Sequence, residues 1–98
     1  MAQVRIQEAA SYRIDEIYRY TRDRWGTRQA NRYIQGLFDA FAGIEAHQTP
    51  SRPIPAEFGI DGYFFRYEQH FVYWRRLSNG DIGIVTILHA RMHQIERF

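Results

Sequence analysis

The residue types best suited to chemistry gather in the last twelve residues of the sequence, ILHARMHQIERF. Two histidines, His89 and His93, and two arginines, Arg91 and Arg97, follow a strongly apolar run. Histidine exchanges protons near neutral pH and binds metals, and arginine pairs bidentately with phosphates and carboxylates. The stretch by itself permits an acid–base active site, a metal site or a contact surface for a partner.

A metal site is the least favoured of the three. His89 and His93 have the four-residue spacing of zinc-binding helices, but no glutamate stands next to His89. If the segment is extended, four residues span ~13 Å, which is too far for two side chains to share one ion. The chain also has no cysteine, which excludes thiolate ligands and disulfides. We therefore predict neither a metal nor another cofactor.

Among enzymes, a metal-free ribonuclease is the most serious option. Such an enzyme needs a general base, an acid and a positive clamp on the phosphate, and His89, Arg91 and Arg66 could supply them. The serines do not lie in a nucleophile-elbow sequence, and no glycine-rich loop is present to hold a phosphate. The competing interpretation is structural: His89 ends a strand and bonds to a neighbouring backbone group.

The composition of the chain is that of a binding hot spot. All 13 basic residues are arginine, although a bias toward GC-rich codons would give the same preference, and 16% of residues are aromatic. Arginine, tyrosine and tryptophan are the residues enriched in binding hot spots. The net charge of +2 is too small to predict strong nonspecific binding to nucleic acid, and no direct sequence-specific binding is expected.

The elements that must position these residues form one α+β domain over residues 1–98. Alternation predicts a short strand over Gln3–Gln7, and a period of three to four residues predicts two helices that meet at Gly26. Such a short link requires an antiparallel helical hairpin. Strands are predicted over Tyr63–Tyr67, Phe71–Leu77 and Ile82–His89. The fold is β-α-α-β-β-β, a helical hairpin packed on an antiparallel sheet.

The details of this fold carry further expectations. Residues 68–70 form the first turn between strands, and Asn79-Gly80 marks the second. The stretch from Gln48 to Gly59 holds all three prolines and should be an irregular connection. In the second helix Gly36, Ala40 and Gly43 form a stripe of small residues, where the first helix is expected to cross closely.

The strands are too apolar for a sheet that is covered on one face only. Runs such as Tyr63–Phe65 and Phe71–Trp74 place apolar or aromatic residues on both faces, where one covered face would give alternation. Two helices cover one face, so the other face requires a cover. A partner chain is the simplest candidate, a homodimer is the second, and a nucleic-acid stacking surface is the third.

The element order and two stretches, IDEIYRYTRDRWGTRQANRY and IVTILHARM, resemble ParE-type toxins of the RelE/ParE superfamily of bacterial toxin–antitoxin modules. The specific parts are Trp25, Gly26 and Ala30, together with the Ile-Leu-His-x-Arg-Met ending at Ile87–Met92. The resemblance runs nearly end to end.

The resemblance implies a toxin with one of two targets. RelE-like members cut messenger RNA on the ribosome, whereas the studied ParE-like members poison DNA gyrase. This chain lacks the lysines of the RelE-like branch and ends in Phe98, where a catalytic tyrosine would be needed. These departures from the RelE-like pattern favour the ParE-like branch. We therefore expect the protein to inhibit DNA gyrase by binding to it and to have no catalytic residue. A non-toxic binding domain is the remaining alternative.

The resemblance also implies a ParD-like antitoxin whose flexible segment folds onto the toxin and covers its apolar surface. The N-terminal residues MAQVRIQEAA lack the apolar core of a signal peptide and no run is long enough to span a membrane, so we expect a cytoplasmic protein that does not bind membranes. Nine residues are candidates for contact with target or antitoxin: Arg66, Tyr73, Trp74, Arg75, Arg76, His89, Arg91, Met92 and Phe98.

Overall fold

The computed structural model describes residues 3–59 and 61–92, and in this part of the chain two helices pack on one face of a five-stranded sheet. Strand β1 spans Val4–Ile6, helix α1 Glu8–Trp25 and helix α2 Thr27–Glu45. The remaining strands are β2 at Arg52–Pro53, β3 at Tyr63–Tyr67, β4 at His70–Arg76 and β5 at Ile82–His89. Short 3-10 turns lie at Ala56–Phe58 and Ala90–Met92. The predicted α+β class and helical hairpin are confirmed.

The helices bury the faces that their periodicity predicts. In α1 the buried residues are Ala10, Ile14, Ile17 and Thr21, and in α2 they are Ala30, Leu37, Phe41, Gly43 and Ile44. Gly26 alone links the helices and has a φ of 94°, a left-handed conformation that glycine adopts without strain. Trp25, the last residue of α1, continues the predicted apolar stripe but is 69% exposed.

The sheet is mixed, which corrects the predicted antiparallel sheet. The strand order is β1-β5-β4-β3-β2, and β1 pairs with β5 in parallel, with Val4 opposite Ile82. The short strand β2 adds an antiparallel edge to β3, in the proline-rich connection where no regular structure was expected. Proline is compatible with this edge position because it has no N–H to donate to a ladder. The last strand in sequence is therefore an interior strand of the sheet.

The ladder between β4 and β5 contains a bulge that sets which residues face the helices. Tyr73 lies opposite Thr86 and Trp74 lies opposite Ile84, so Val85 has no partner on β4. Beyond such an extra residue the alternation of faces resumes one position later. Ile84 and Ile87, three residues apart, consequently both enter the core. Part of the two-sided apolar pattern of this strand therefore comes from the bulge.

The turn between β3 and β4 is shorter than predicted. His70 is the first residue of β4 and pairs with Tyr67, which leaves only Glu68 and Gln69 in the turn. Glu68 has a positive φ of 51°, as two-residue hairpin turns demand. This change places the His70 side chain on the sheet face that carries the helices, next to α2.

The two glycines of the small-residue stripe in α2 lie beside residues outside α1, contrary to the prediction. The side-chain hydroxyl of Tyr67, on β3, occupies the space beside Gly36, and the hydroxyl of Thr49 occupies the space beside Gly43. Thr49 also donates a hydrogen bond of 2.8 Å to the Ala40 carbonyl oxygen. The glycines of α2 therefore accommodate polar side chains from the sheet and from the following loop.

Asp81 joins the N-terminal strand to the hairpin between β4 and β5. Its carboxylate accepts hydrogen bonds from the backbone N–H of Gln3 at 3.0 Å, from Arg5 Nε at 2.6 Å and from Asn79 Nδ2 at 3.1 Å. The Gln3 N–H, together with Arg5, holds the pKa of this carboxyl below its usual value. The network fixes β1 at the edge of β5.

Candidate functional surface

The end of β5 brings two histidines together on the face of the sheet that carries the helices. His70 lies opposite His89 in the ladder, and their ring centroids are 5.4 Å apart with the rings nearly perpendicular. The bulge at Val85 produces this pairing, because it shifts every later residue of β5 by one position. The two histidines are far apart in sequence, and His70 was not among the residues predicted to be functional.

Helix α2 holds this histidine pair through Tyr33. The Tyr33 hydroxyl and His70 Nδ1 are 2.7 Å apart, and the rings of the two residues meet edge to face. The Tyr67 hydroxyl donates a 2.9 Å hydrogen bond to the Tyr33 carbonyl oxygen. We refer to Tyr33, Tyr67, His70 and His89 as the Tyr–His cluster.

The environment of the Tyr–His cluster keeps two of its groups uncharged at neutral pH. Burial, assisted by the neighbouring His89, lowers the pKa of His70 to about 4. Burial also raises the pKa of Tyr33 to about 12, and the nearby Tyr67 and Glu68 act in the same direction. Efficient proton transfer at neutral pH requires a pKa near 7, and neither group has one.

His89 has the structural hydrogen bond that the second interpretation of the sequence anticipated. Its Nδ1 accepts a 3.1 Å hydrogen bond from the backbone N–H of Arg91, which lies in the turn after β5. Since Nδ1 accepts, the proton of the neutral ring is on Nε2. Ile87 is buried beneath the helices, and Leu88 lies half-buried on the opposite face beside Phe71.

The face of the sheet away from the helices, here called the open face, carries several of the other predicted contact residues. Arg66 lies over the Phe71 ring at 5.6 Å, and its Nε donates to the Glu68 carbonyl oxygen at 2.9 Å. Tyr73 is half-buried beside Phe64, with ring centroids 6.0 Å apart. Arg75 is exposed on this face. These residues form a surface that mixes basic and aromatic side chains.

Trp74 does not belong to that surface, which corrects its prediction as a contact residue. It is 7% exposed, stacks on Tyr63 at 4.6 Å and donates from Nε1 to Ser51 Oγ at 3.0 Å. Consecutive strand residues point to opposite faces, so Tyr73 and Trp74 could not share a surface. The sequence did not reveal which of the two enters the core.

The remaining candidates lie at two ends of the sheet. Arg76 is exposed and donates from Nη1 to the Gly80 carbonyl oxygen at 3.1 Å. With Arg75, Asp61 and Tyr63 it borders a cavity of about 580 Å³ at the β2 edge. Arg91 is exposed at the other end. The backbone of Met92 lies in the final turn, whereas its side chain and the whole of Phe98 lie outside the described residues, as do His93 and Arg97.

No group of three metal-binding side chains occurs within residues 3–59 and 61–92. Neither helix in that part of the chain has the length and apolar character needed to cross a membrane.

Comparison with known proteins identifies the family. The family model described as the ParE toxin of the parDE type II toxin–antitoxin system matches residues 4–94 of this chain. The chain belongs to the ParE toxin family. Toxin ParE of Escherichia coli is 33% identical over 81 residues, which cover 83% of this chain and 78% of that relative. Toxin ParE1 of Mycobacterium tuberculosis is 30% identical over 87 residues, which cover 89% of this chain and 88% of the relative.

A solved structure of the chromosomal ParDE toxin–antitoxin system of P. aeruginosa has the same fold. It matches with a TM-score of 0.72 and 19% identity, covering 91% of this chain and 96% of that chain. In this ParE-family chain the Tyr–His cluster is the feature that sequence reasoning missed. Counting outward from the Asn79-Gly80 turn would have placed His89 one residue out of register with His70, because nothing in the sequence marks the bulge.

Proposed function

We propose that this ParE-family toxin acts by binding DNA gyrase in the bacterial cytoplasm, without covalent chemistry of its own, and that a ParD-like antitoxin neutralises it. The observation that carries the non-catalytic part is the Tyr–His cluster. Its Tyr33–His70 hydrogen bond ties α2 to the sheet, and both groups have pKa values far from neutrality. The hydrogen bond thus supports the shape of the sheet end, and neither Tyr33 nor His70 is suited to proton transfer at neutral pH.

Family membership and the open face support the antitoxin. The relatives are named as ParE toxins, and the matching solved structure is a ParDE system. On the open face the half-buried Phe64, Tyr73 and Leu88 lie side by side on three adjacent strands. Apolar side chains in such an arrangement gain free energy when a partner removes them from water. A flexible antitoxin segment is suited to cover them.

The end of β5 is the proposed contact for gyrase. His89 is half-buried and fixes the backbone of the following turn, in which Arg91 is exposed two residues after His89. Arginine at the centre of an interface pairs bidentately with carboxylates, and loss of one such anchor costs ~2 kcal/mol or more in binding. Met92 and Phe98 extend this proposed contact along the chain.

Purified protein, tested in a gyrase supercoiling assay, should inhibit supercoiling or accumulate cleaved DNA. Arg91→Ala should raise the half-inhibitory concentration by about 30-fold, as ~2 kcal/mol implies. Arg24→Ala is the matched control, because Arg24 is exposed at the end of α1, where it lies over the Tyr20 ring. The control should inhibit like the wild type.

A ribosome-dependent ribonuclease is the second candidate, and one observation favours it. His89 and Arg91 lie close together at the end of the sheet, where the Arg91 backbone N–H donates a hydrogen bond to His89 Nδ1. The same preparation should leave ribosome-bound messenger intact. Messenger cleavage that is abolished by His89→Ala in folded protein would overturn the gyrase proposal and establish the ribonuclease.

A further inference from the structure

The side of the helical hairpin that faces away from the sheet, here called the outer face, carries three arginines. Arg19 lies on α1, two residues after the buried Ile17. Arg28 and Arg32 lie on α2, two residues before and two residues after the buried Ala30. Two residues turn an α-helix by about 200°, so these arginines point away from the core. All three are exposed, and they come from two antiparallel helices.

These charges are not neutralised within the part of the chain that the structure describes. The ion pairs there involve Arg5, Arg13 and Arg22. Asp23, four residues after Arg19, pairs instead with Arg22 at 3.2 Å. Asp15, four residues before Arg19, forms no ion pair among the described residues. The three guanidinium groups of the outer face are therefore available to an anion outside the protein.

Positive charge is concentrated where the two helices meet. Residues 24–38 hold three arginines and no acidic residue, so their charge is +3, whereas the whole chain has +2. Arg28 lies in the first turn of α2, where the helix dipole disfavours a cation, and four residues before the like-charged Arg32. Nearby acids would offset this repulsion, as Glu16 does for Arg13 on α1. Their absence from this stretch favours a role in binding an anion.

The surroundings of Arg28 and Arg32 favour phosphate over an acidic protein as that anion. The exposed residues around them are neutral and polar: Thr27, Gln29, Asn31 and Gln35. Amide and hydroxyl side chains of this kind donate hydrogen bonds to phosphate oxygens. Within residues 27–37, all of which the structure describes, no large apolar side chain is exposed. A protein interface needs apolar or aromatic residues at its centre, and this stretch does not offer them.

The exposed rings of α1 do not form a platform for unstacked bases. Tyr12, Tyr20 and Trp25 are each more than 60% exposed. They are eight and five residues apart in the helix, so they point to different sides of it. Single-stranded nucleic acid stacks its successive bases on several aromatic rings along one groove. The outer face is therefore better suited to the phosphates of a duplex, whose bases stay stacked on one another.

We propose that the outer face binds duplex DNA through its phosphates, without sequence preference. Packed helices have axes about 8–10 Å apart, and the major groove of B-DNA is about 12 Å wide. Arg19 on one helix, with Arg28 and Arg32 on the other, can therefore contact the two strands that border this groove. The major groove of an RNA duplex is narrow and does not fit the same spacing. The proposal concerns the toxin alone and does not depend on gyrase as the target.

The test is fluorescence anisotropy of the full chain, without gyrase or antitoxin, with a short labelled DNA duplex of mixed sequence. Three phosphate contacts predict a slope of about −2.7 in the logarithm of affinity against the logarithm of salt. Affinity should therefore fall about 40-fold between 50 and 200 mM KCl. The same sequence as duplex RNA or as single-stranded DNA should bind at least about fivefold more weakly.

The decisive variants are Arg28→Gln and Arg32→Gln, each of which removes one phosphate contact. Each should reduce the slope to about −1.8, so the same change in salt should lower affinity only about 12-fold. Arg52→Gln is the matched control, because Arg52 is exposed on the edge strand β2 and has no ion pair among the described residues. The control should keep the wild-type slope. Circular dichroism checks that all three variants are folded.

Four results would overturn the proposal. The first is no wild-type binding at 50 mM KCl, and the second is a slope in the Arg52→Gln control as low as that of the decisive variants. The third is binding of duplex RNA or single-stranded DNA as tight as that of duplex DNA. The fourth is competition by poly-glutamate as effective as that by unlabelled duplex, which would assign the outer face to acidic proteins. Because none of these measurements involves gyrase, they leave the proposed target untouched.

Discussion

At the scale of single residues, the hydrogen bond between Tyr33 and His70 joins the second helix to the end of the sheet. The 2.7 Å contact stabilises His70 as a neutral ring in a half-buried site. Protonation at Nδ1 would leave the ring unable to accept the hydrogen bond from the Tyr33 hydroxyl and would place a charge next to His89. The surroundings of His70 therefore favour its neutral form.

This arrangement predicts a loss of stability in mild acid. The unfolded chain binds a proton on His70 near pH 6.5, whereas the folded chain does so only near its lowered pKa of about 4. Between these values the unfolded state holds more protons, so the free energy of unfolding falls as the pH falls. The full shift corresponds to roughly 3 kcal/mol, and solvent screening of a half-exposed ring reduces this to about 1 kcal/mol.

Urea denaturation at pH 7 and pH 4.5 measures this effect. The His70→Gln variant, whose amide oxygen can accept from Tyr33, should lose about 1 kcal/mol less than the wild type between the two pH values. His47→Gln serves as control, because His47 is exposed in the loop after α2. Equal losses in wild type and His70→Gln would show that the cluster does not titrate in this range.

At the scale of elements, α2 docks on the sheet through the contact between Gly36 and Tyr67. The Tyr67 hydroxyl lies where a side chain at position 36 would begin, and it donates to the Tyr33 carbonyl oxygen of the same helix. Glycine inside a helix costs up to ~1 kcal/mol relative to alanine. The hydrogen bond from Tyr67 offsets this cost.

A double-mutant cycle tests this coupling. Gly36→Ala alone should destabilise the protein by about 1–2 kcal/mol, because the new methyl group displaces the Tyr67 hydroxyl and breaks its hydrogen bond. In a Tyr67→Phe background the same change should cost at least about 1 kcal/mol less, since no hydroxyl remains to be displaced. Chemical denaturation measures all four proteins, and additive effects would contradict the coupling.

The sequence revealed those elements whose signals are local. Alternation, helical periodicity, Gly26 and the Asn79-Gly80 turn lie within single segments and predicted two helices and four strands. The parallel pairing of β1 with β5, the bulge at Val85 and the hydroxyl beside Gly36 depend on contacts between distant segments. The predictions of functional residues were incomplete for the same reason. Trp74 was expected on the surface, and His70 was not recognised as the partner of His89.

At the scale of the whole molecule, the helical hairpin covers one face of the sheet and leaves the open face with half-buried Phe64, Tyr73 and Leu88. The proposed antitoxin would cover this surface. We expect the toxin expressed alone to self-associate or to be poorly soluble, and a co-expressed ParD-like antitoxin to give a defined complex. A specific complex should bury ~800 Å² or more on each side.

Size-exclusion chromatography with light scattering measures the molar mass of the toxin alone and of its complex with the antitoxin, and so tests this expectation. A Tyr73→Thr variant, which removes an aromatic ring at a strand position that tolerates threonine, should reduce self-association and weaken antitoxin binding by at least tenfold. Tyr12→Thr is the control, because Tyr12 is 64% exposed on α1. A stable wild-type monomer with no affinity for the antitoxin would contradict the expectation.

The parallel pairing of β1 with β5 bears on when a newly made chain becomes a toxin. Strand β5 is synthesised last among the strands of the described residues, yet it lies between β1 and β4 and supplies Ile82, Ile84 and Ile87 to the core. At 5–20 residues per second, roughly 4–15 s separate the synthesis of β1 from that of its partner strand. A nascent chain arrested after Gly80 should accordingly remain protease-sensitive. Each newly made chain thus completes its core only after nearly the whole sequence has been translated.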